Sequence, residues 1–192
     1  MKMKKIVATG SALALTAAVA VGGTLAWLTA NTETKTNTFT YAFGGEENPI
    51  NITLKDEFPD GEMYPGANLD KNVGVTVQAN SMNSYVYLEV QNGFNGVEGV
   101  TLDLDTTNWV KVNESGNNTI YRYNQMVATS GEDTVLPDLL DGVSFASTMT
   151  HETLTDLDDT TIIVQAYAIQ ADGLTDTTNT ADAEAIAWFA AN

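Results

Sequence analysis

The chain has 192 residues, no cysteine and 25 acidic side chains against 8 Lys and Arg, which gives a formal net charge of −17. This sign excludes nucleic acid as a partner, because phosphate backbones are bound through clustered Lys and Arg. The missing cysteines exclude disulfides, lipoprotein attachment and thiolate metal sites. The length fits one domain that can bury a core of its own.

The N-terminus has the layout of a signal peptide. Residues 1–5 hold three of the eight basic residues, and no charged side chain follows until Glu33. An apolar stretch then ends in small residues, which is typical of a signal peptide with a cleavage site. We predict cleavage between Ala26 and Trp27, so that residues 1–26 are removed. The alternative is an uncleaved membrane anchor, because the uncharged stretch is long enough to span roughly 30 Å of hydrocarbon.

Cleavage would make the mature chain more acidic and free of the membrane. Five basic residues would then oppose all 25 acidic ones, a formal charge of about −20. Export of this kind involves a signal peptidase as a transient partner and leaves no membrane association after cleavage. The predicted localisation is therefore secreted.

An amphipathic segment follows the predicted cleavage site. Phe39, Tyr41 and Phe43 alternate with Thr and Ala, the period expected of an extended strand with one apolar face. We predict an N-terminal extended segment over residues 27–43. Such a strand could be donated to the sheet of a neighbouring subunit, or it could be the first strand of the chain's own sheet.

The remaining residues, 44–192, are predicted to form one β-sandwich domain. Apolar residues recur with period two, and Gly, Asn, Asp and Pro clusters separate the runs. Eight or nine strands at short intervals favour an all-β, antiparallel, jelly-roll-like sandwich. The predicted strands cover residues 39–43, 50–54, 73–79, 85–91, 100–104, 109–113, 119–123, 143–149 and 160–171.

A short helix is predicted near the C-terminus. Asn179 or Thr180 can cap it, because both side chains can accept a hydrogen bond from a first-turn backbone N–H. The apolar residues of one helical face would be Ala183, Ile186, Ala187 and Ala190.

Nothing in the sequence supports catalysis, and we predict that the chain is not an enzyme. His151 is the only histidine, and Glu152 follows it, which invites comparison with zinc peptidases. Those helices need a second histidine one turn later, where this chain has Thr155. A Ser or Thr nucleophile would also need a base, for which His151 is the sole candidate. We place His151 in a strand or loop.

Two acidic groups could attract calcium, which prefers oxygen ligands. They are Asp103 with Asp105, and the group Asp156, Asp158 and Asp159. Neither group has the glycine and terminal glutamate of an EF-hand loop, and solvated strand ends explain them as well. We predict no metal and no cofactor.

Several motifs resemble a known family of exported proteins. They occupy residues 22–29, 36–39, 64–66, 85–88 and 166–173. The chain resembles the SipW-dependent exported proteins of the TasA/camelysin family, which are biofilm matrix fibre subunits of Firmicutes. The resemblance implies a jelly-roll subunit secreted by a Gram-positive bacterium. It also implies polymerisation through residues 27–43, which would complete the sheet of the next subunit as a donor strand.

The predicted function is therefore a secreted structural subunit of an extracellular fibre or biofilm matrix. Its expected partners are neighbouring copies of the same chain in a homopolymer, located in the matrix or on the cell surface. The alternative is a monomeric cell-surface adhesin or binding module.

Overall fold

The structure is a computed structural model of the chain. It describes residues 29–32, 39–40, 50–58, 62–128, 130–157, 159–174 and 177–192. No helix in these ranges is both long enough and apolar enough to cross a membrane.

Eleven strands and two helices make up the described part of the chain. The strands on the N-terminal side are β1 (Thr29–Thr32), β2 (Phe39–Thr40), β3 (Asn51–Glu57), β4 (Asn68–Val77), β5 (Ser84–Asn92), β6 (Val100–Leu104), β7 (Trp109–Ser115) and β8 (Asn118–Tyr123). They are followed by β9 (Thr134–Val135), β10 (Leu140–Phe145), helix α1 (His151–Thr155), β11 (Ile162–Gln170) and helix α2 (Thr177–Phe189).

The strands form two antiparallel sheets, which confirms the predicted all-β class. The first sheet has the strand order β1-β11-β5-β8-β7. The second has the order β2-β3-β4-β10-β6, and β9 also pairs with β4. Because consecutive strands repeatedly change sheet, the two layers are joined by many crossing connections.

The main core lies between the two sheets and follows from the period-two pattern. In β3, Ile52 and Leu54 are buried, while the alternating residues Asn51, Thr53 and Lys55 are partly exposed. The inward residues of β4, β5 and β11 meet them in one apolar cluster. Strand β5 is buried on both faces because α2 covers its outer side, so its sequence reads as nearly continuous apolar residues.

Helix α2 is present, but its start and its buried face differ from the prediction. It begins at Thr177 rather than after a cap at Asn179 or Thr180. The residues buried against the sheet are Ala181, Ala185 and Phe189, and Ile186 is partly buried. The predicted face was wrong because an alanine-rich helix is weakly apolar all round, so the aromatic surface of the sheet selects the face. Ala183, Ala187 and Ala190 are exposed.

The short helix α1 was not predicted. Thr150 caps it, accepting a hydrogen bond from the backbone N–H of Thr153 at 3.2 Å. Its one buried side chain is Leu154, which joins an apolar cluster at the end of the sandwich. The placement of His151 in a strand or loop was therefore wrong. A five-residue helix with a single apolar anchor leaves too short a pattern to recognise.

Candidate functional site

The N-terminal segment pairs with both sheets on the same side of the sandwich. Strand β1 is antiparallel to β11, with Thr29 opposite Ile169 and Thr32 opposite Ala166. Strand β2 is antiparallel to β3, with Phe39 opposite Ile52. The chain therefore contributes an edge strand to the first sheet and then an edge strand to the second.

Of the predicted site residues, the structure describes only Phe39, which lies in β2. The predicted cleavage residues Ala26 and Trp27 lie outside the described residues, as do Tyr41 and Phe43. Within the described part, the segment pairs with its own chain, one of the two alternatives that the sequence left open. The signal peptide stays a prediction.

Strand β1 lies within residues 27–43, where the sequence predicts an extended segment but no separate strand. Its residues, Thr-Ala-Asn-Thr, have no apolar alternation, so only the pairing with β11 defines it as a strand. Opposite it on β11, Ala166 and Ala168 are buried in the core between the sheets. Tyr167 and Ile169 are buried on the other face under α2. Strand β1 thus covers an apolar strand that would otherwise be a sheet edge.

The edges at the opposite side carry features that discourage strand addition. Among the described strands, β7 and β6 form these edges. Strand β7 has a β-bulge between Lys111 and Asn113, and Lys111 forms an ion pair with Glu114 at 2.6 Å. Strand β6 carries Asp103 at an exposed position. Bulges and charges are known to block edge-to-edge pairing, so the two sides of the sandwich differ in their capacity to accept a strand.

A cleft of about 700 Å³ opens at one end of the sandwich. Its walls come from β4, β10, α1 and the start of β11, and from Phe58, Met63 and Phe94, which lie outside the strands. They are mostly apolar, and two of the lining residues, Phe94 and Phe145, meet edge to face with ring centres 5.8 Å apart. Clefts of this size and character are common binding sites.

One charged group that lines the cleft, the ammonium of Lys71, is held by structural contacts. Lys71 is only 7% exposed. Its ammonium is paired with Asp56 and lies 5.8 Å from the centre of the Phe58 ring. His151 lines the cleft, and the hydroxyl of Thr155 donates to the carbonyl oxygen of His151 at 2.9 Å. Thr155 therefore closes a turn of α1 at the position where a zinc peptidase would carry a ligand.

In the first predicted acidic group, Asp105 has a structural role. Asp105 accepts hydrogen bonds from the side-chain amide of Asn108 at 2.6 Å and from the backbone N–H groups of Asn108 and Thr107. The side-chain hydrogen bond is the main reason that the pKa of Asp105 is lowered. Asp105 therefore fixes the turn between β6 and β7, as Asx turns do. Desolvation chiefly raises the pKa of nearby Asp141, and Asp138 and Asp103 add to it.

The second predicted acidic group lies after α1. The backbone N–H of Asp156 caps this helix by donating to the carbonyl oxygen of Glu152 at 3.2 Å. Asp159 is exposed, and Asp158 lies outside the described residues. Within the ranges that the structure describes, no three His, Asp or Glu side chains are grouped so that they could hold a metal ion.

Glu89 is a buried carboxyl in the middle of β5. It is 5% exposed and accepts a hydrogen bond from Asn118 Nδ2 at 3.3 Å. Burial disfavours its charged form and raises its pKa above that in the unfolded chain. The folded state therefore binds this proton more readily, and the contribution of Glu89 to stability falls as pH rises from the unfolded pKa through the folded pKa.

Glu89→Gln is expected to increase the free energy of unfolding at pH 7. Glutamine keeps an acceptor oxygen for Asn118 and removes the buried charge. Urea unfolding at several pH values should show the gain at neutral pH and its loss towards acid pH. Glu132→Gln, at an exposed position, should leave the curve unchanged. A less stable Glu89→Gln variant at pH 7 would contradict this account.

Comparison of the chain with models of protein families, with curated proteins and with solved structures returned no match in any of the three. The resemblance to the TasA/camelysin family therefore stays a prediction.

Proposed function

We propose that the chain is a secreted structural subunit of an extracellular fibre or biofilm matrix, assembled by exchange of N-terminal strands between copies. The observation that carries this proposal is the pairing of the N-terminal segment with both sheets on one side of the sandwich, through β1 and β2. The signal-like N-terminus and the resemblance to the TasA/camelysin family support it, as does the two-sheet architecture, which suits a jelly roll.

Exchange follows from the chemistry of strand pairing. A β1 strand from a second copy makes the same backbone hydrogen bonds and meets the same Ala166 and Ala168 as the chain's own β1. Every residue keeps the same backbone hydrogen bonds, and only the chain that supplies β1 differs, as in domain swapping. High local concentration then favours the linked form.

Predicted processing places this strand close to the new N-terminus. Cleavage between Ala26 and Trp27 would leave two residues before Thr29, where β1 begins. In the uncleaved precursor, the same strand is tied to the apolar signal segment. Cleavage would therefore release β1 for pairing, so that export and assembly are coupled. The expected location is the extracellular matrix or the surface of a Gram-positive cell.

A cysteine pair tests the exchange directly, because the chain has no cysteine of its own. Ala30 lies opposite Ala168 in the β1–β11 ladder. One mature chain would carry Ala30→Cys and a second would carry Ala168→Cys, with tags of different length. The two chains would be mixed, assembled and oxidised. We expect a mixed disulfide dimer on a non-reducing gel, because only a strand from one chain on β11 of another brings these positions together.

The matched control pairs Ala30→Cys with Thr101→Cys, an exposed position on the opposite edge strand β6. This pair should give little mixed dimer. Equal yields from both pairs, or assembled fibres with no Ala30–Ala168 crosslink, would rule out exchange through β1.

The cleft favours the second candidate function, a monomeric cell-surface adhesin or binding module. Its volume of about 700 Å³ and its apolar walls suit a bound group. This function requires a chain that stays monomeric in light scattering at high concentration and gives no mixed disulfide in the experiment above.

A further inference from the structure

Helix α2 docks on the first sheet through an apolar interface. Its buried residues are Ala181, Ala185 and Phe189, and Ile186 and Trp188 are partly buried against the same cluster. A 13-residue helix is marginally stable by itself in water, and its order depends on tertiary contacts. Polar contacts between α2 and the sheet add to its attachment.

One carboxylate of α2 binds two strands of the sheet. Asp182 Oδ1 accepts a hydrogen bond from Tyr87 Oη on β5 at 2.8 Å and one from Arg122 Nε on β8 at 2.8 Å. The side chains of Arg122 and Asp182 are mostly buried, with 13% and 22% exposure. Tyr87 is completely buried. Charge-assisted hydrogen bonds in such surroundings are stronger than neutral ones in water.

The C-terminal end of α2 contacts the strand that receives β1. Trp188 stacks on Tyr167 of β11, with ring centres 4.9 Å apart and an angle of 19° between the planes. Phe189 meets the same ring edge to face at 6.0 Å. Tyr167 is also the residue opposite Asn31 in the β1–β11 ladder. Tyr167 thus contacts the helix and also lies at the centre of the β1–β11 pairing.

We propose that α2 is a latch: Asp182 holds the helix on the sheet, and the docked helix keeps β11 in the geometry that β1 needs for pairing. When α2 is docked, the packing of Trp188 and Phe189 on Tyr167 keeps β11 regular, and β1 stays paired. When α2 is released, β11 loses its outer cover, and β1 leaves more often. The latch is a property of the single chain, and its effect on assembly rests on the proposed function.

Hydrogen exchange on the mature chain, kept dilute and monomeric, tests the latch. In Asp182→Ala, the β1 and β11 amides should exchange about tenfold faster, the order expected when a charge-assisted hydrogen bond is lost. Asp182→Asn keeps an acceptor for Tyr87 and removes the charge, so it should give a smaller increase. If Asp182→Ala does not fold, the exchange rates of Asp182→Asn test the proposal.

Lys55→Met is the matched control, because it breaks an ion pair on the other sheet, between Lys55 Nζ and Asp138 Oδ2 at 2.7 Å. It should leave the exchange of β1 unchanged. Faster exchange over both sheets in the Asp182 variants would show general destabilisation and overturn the latch. Opening of α2 with no change in β1 and β11 would overturn it as well.

The effect on assembly has its own readout. Adding Asp182→Asn to the Ala30→Cys and Ala168→Cys chains should speed the formation of their mixed disulfide. If the parent chains never form this disulfide while the exchange rates respond as expected, the proposed function fails and the latch stands. If the disulfide forms at the same rate with and without the Asp182→Asn change, and the exchange rates do not respond either, the latch fails alone.

Discussion

Under the proposed function, removal of residues 27–40 is expected to abolish polymerisation. This deletion takes away β1 and β2, which supply the edge pairing of β11 and β3. The truncated chain keeps both acceptor edges and has no strand to donate, so it can receive a strand without extending a polymer. Electron microscopy and light scattering of the mature and truncated proteins would measure the loss.

A peptide separates failed assembly from failed folding. A synthetic peptide of residues 27–43 should bind the truncated chain, raise its melting temperature and leave it monomeric, because each acceptor side is then filled without a link to another chain. A scrambled peptide of the same composition should neither bind the truncated chain nor raise its melting temperature. Fibres formed by the truncated chain alone would disprove assembly through this segment.

Trp109→Ala is expected to lower the free energy of unfolding by about 3–5 kcal/mol, the usual cost of removing a buried aromatic side chain. Trp109 is 1% exposed, and its ring meets Tyr123 edge to face at 5.5 Å. Its indole N–H donates to the carbonyl oxygen of Pro137 at 2.9 Å, tying β7 of the first sheet to the segment before β10 of the second. The loss is a large part of the stability of an ordinary domain.

Val110→Ala is the matched control for this prediction. Val110 is the next residue in β7 and is 43% exposed, so its truncation should change stability by less than about 0.5 kcal/mol. Trp109→Phe should fall between the two, because it keeps an aromatic ring and loses the hydrogen bond to Pro137. Urea unfolding measures all three. A similar cost for both alanine variants would show that Trp109 has no special place in the core.

The strands could be predicted because their side chains meet two different environments. A strand with one buried face needs apolar residues at every second position, and β6 occupies the predicted residues 100–104. In β3 the alternation of Ile52 and Leu54 with polar residues likewise indicates the buried face. These signals are local, and so the sequence reveals them without knowledge of the partner strand.

The N-terminal region shows where local signals end. The sequence predicts an extended segment over residues 27–43 and an apolar alternation that includes Phe39 of β2, but it does not mark β1 as a separate strand. Four small and polar residues become a strand only because β11 offers an unpaired edge. In the same way, nothing near Asp182 in sequence indicates that Tyr87 and Arg122, far away along the chain, will meet its carboxylate.

The sequence by itself determined the acidic charge, the absence of disulfides, the signal-like N-terminus and the all-β class, since each depends on composition or on residues close together in the chain. The tertiary structure alone decided which face of α2 is buried, that Glu89 is buried, and that the N-terminal segment pairs with both sheets. These features depend on surfaces assembled from distant strands. A weakly amphipathic helix and a short polar strand take their places from the partners they meet, and no local pattern records those partners.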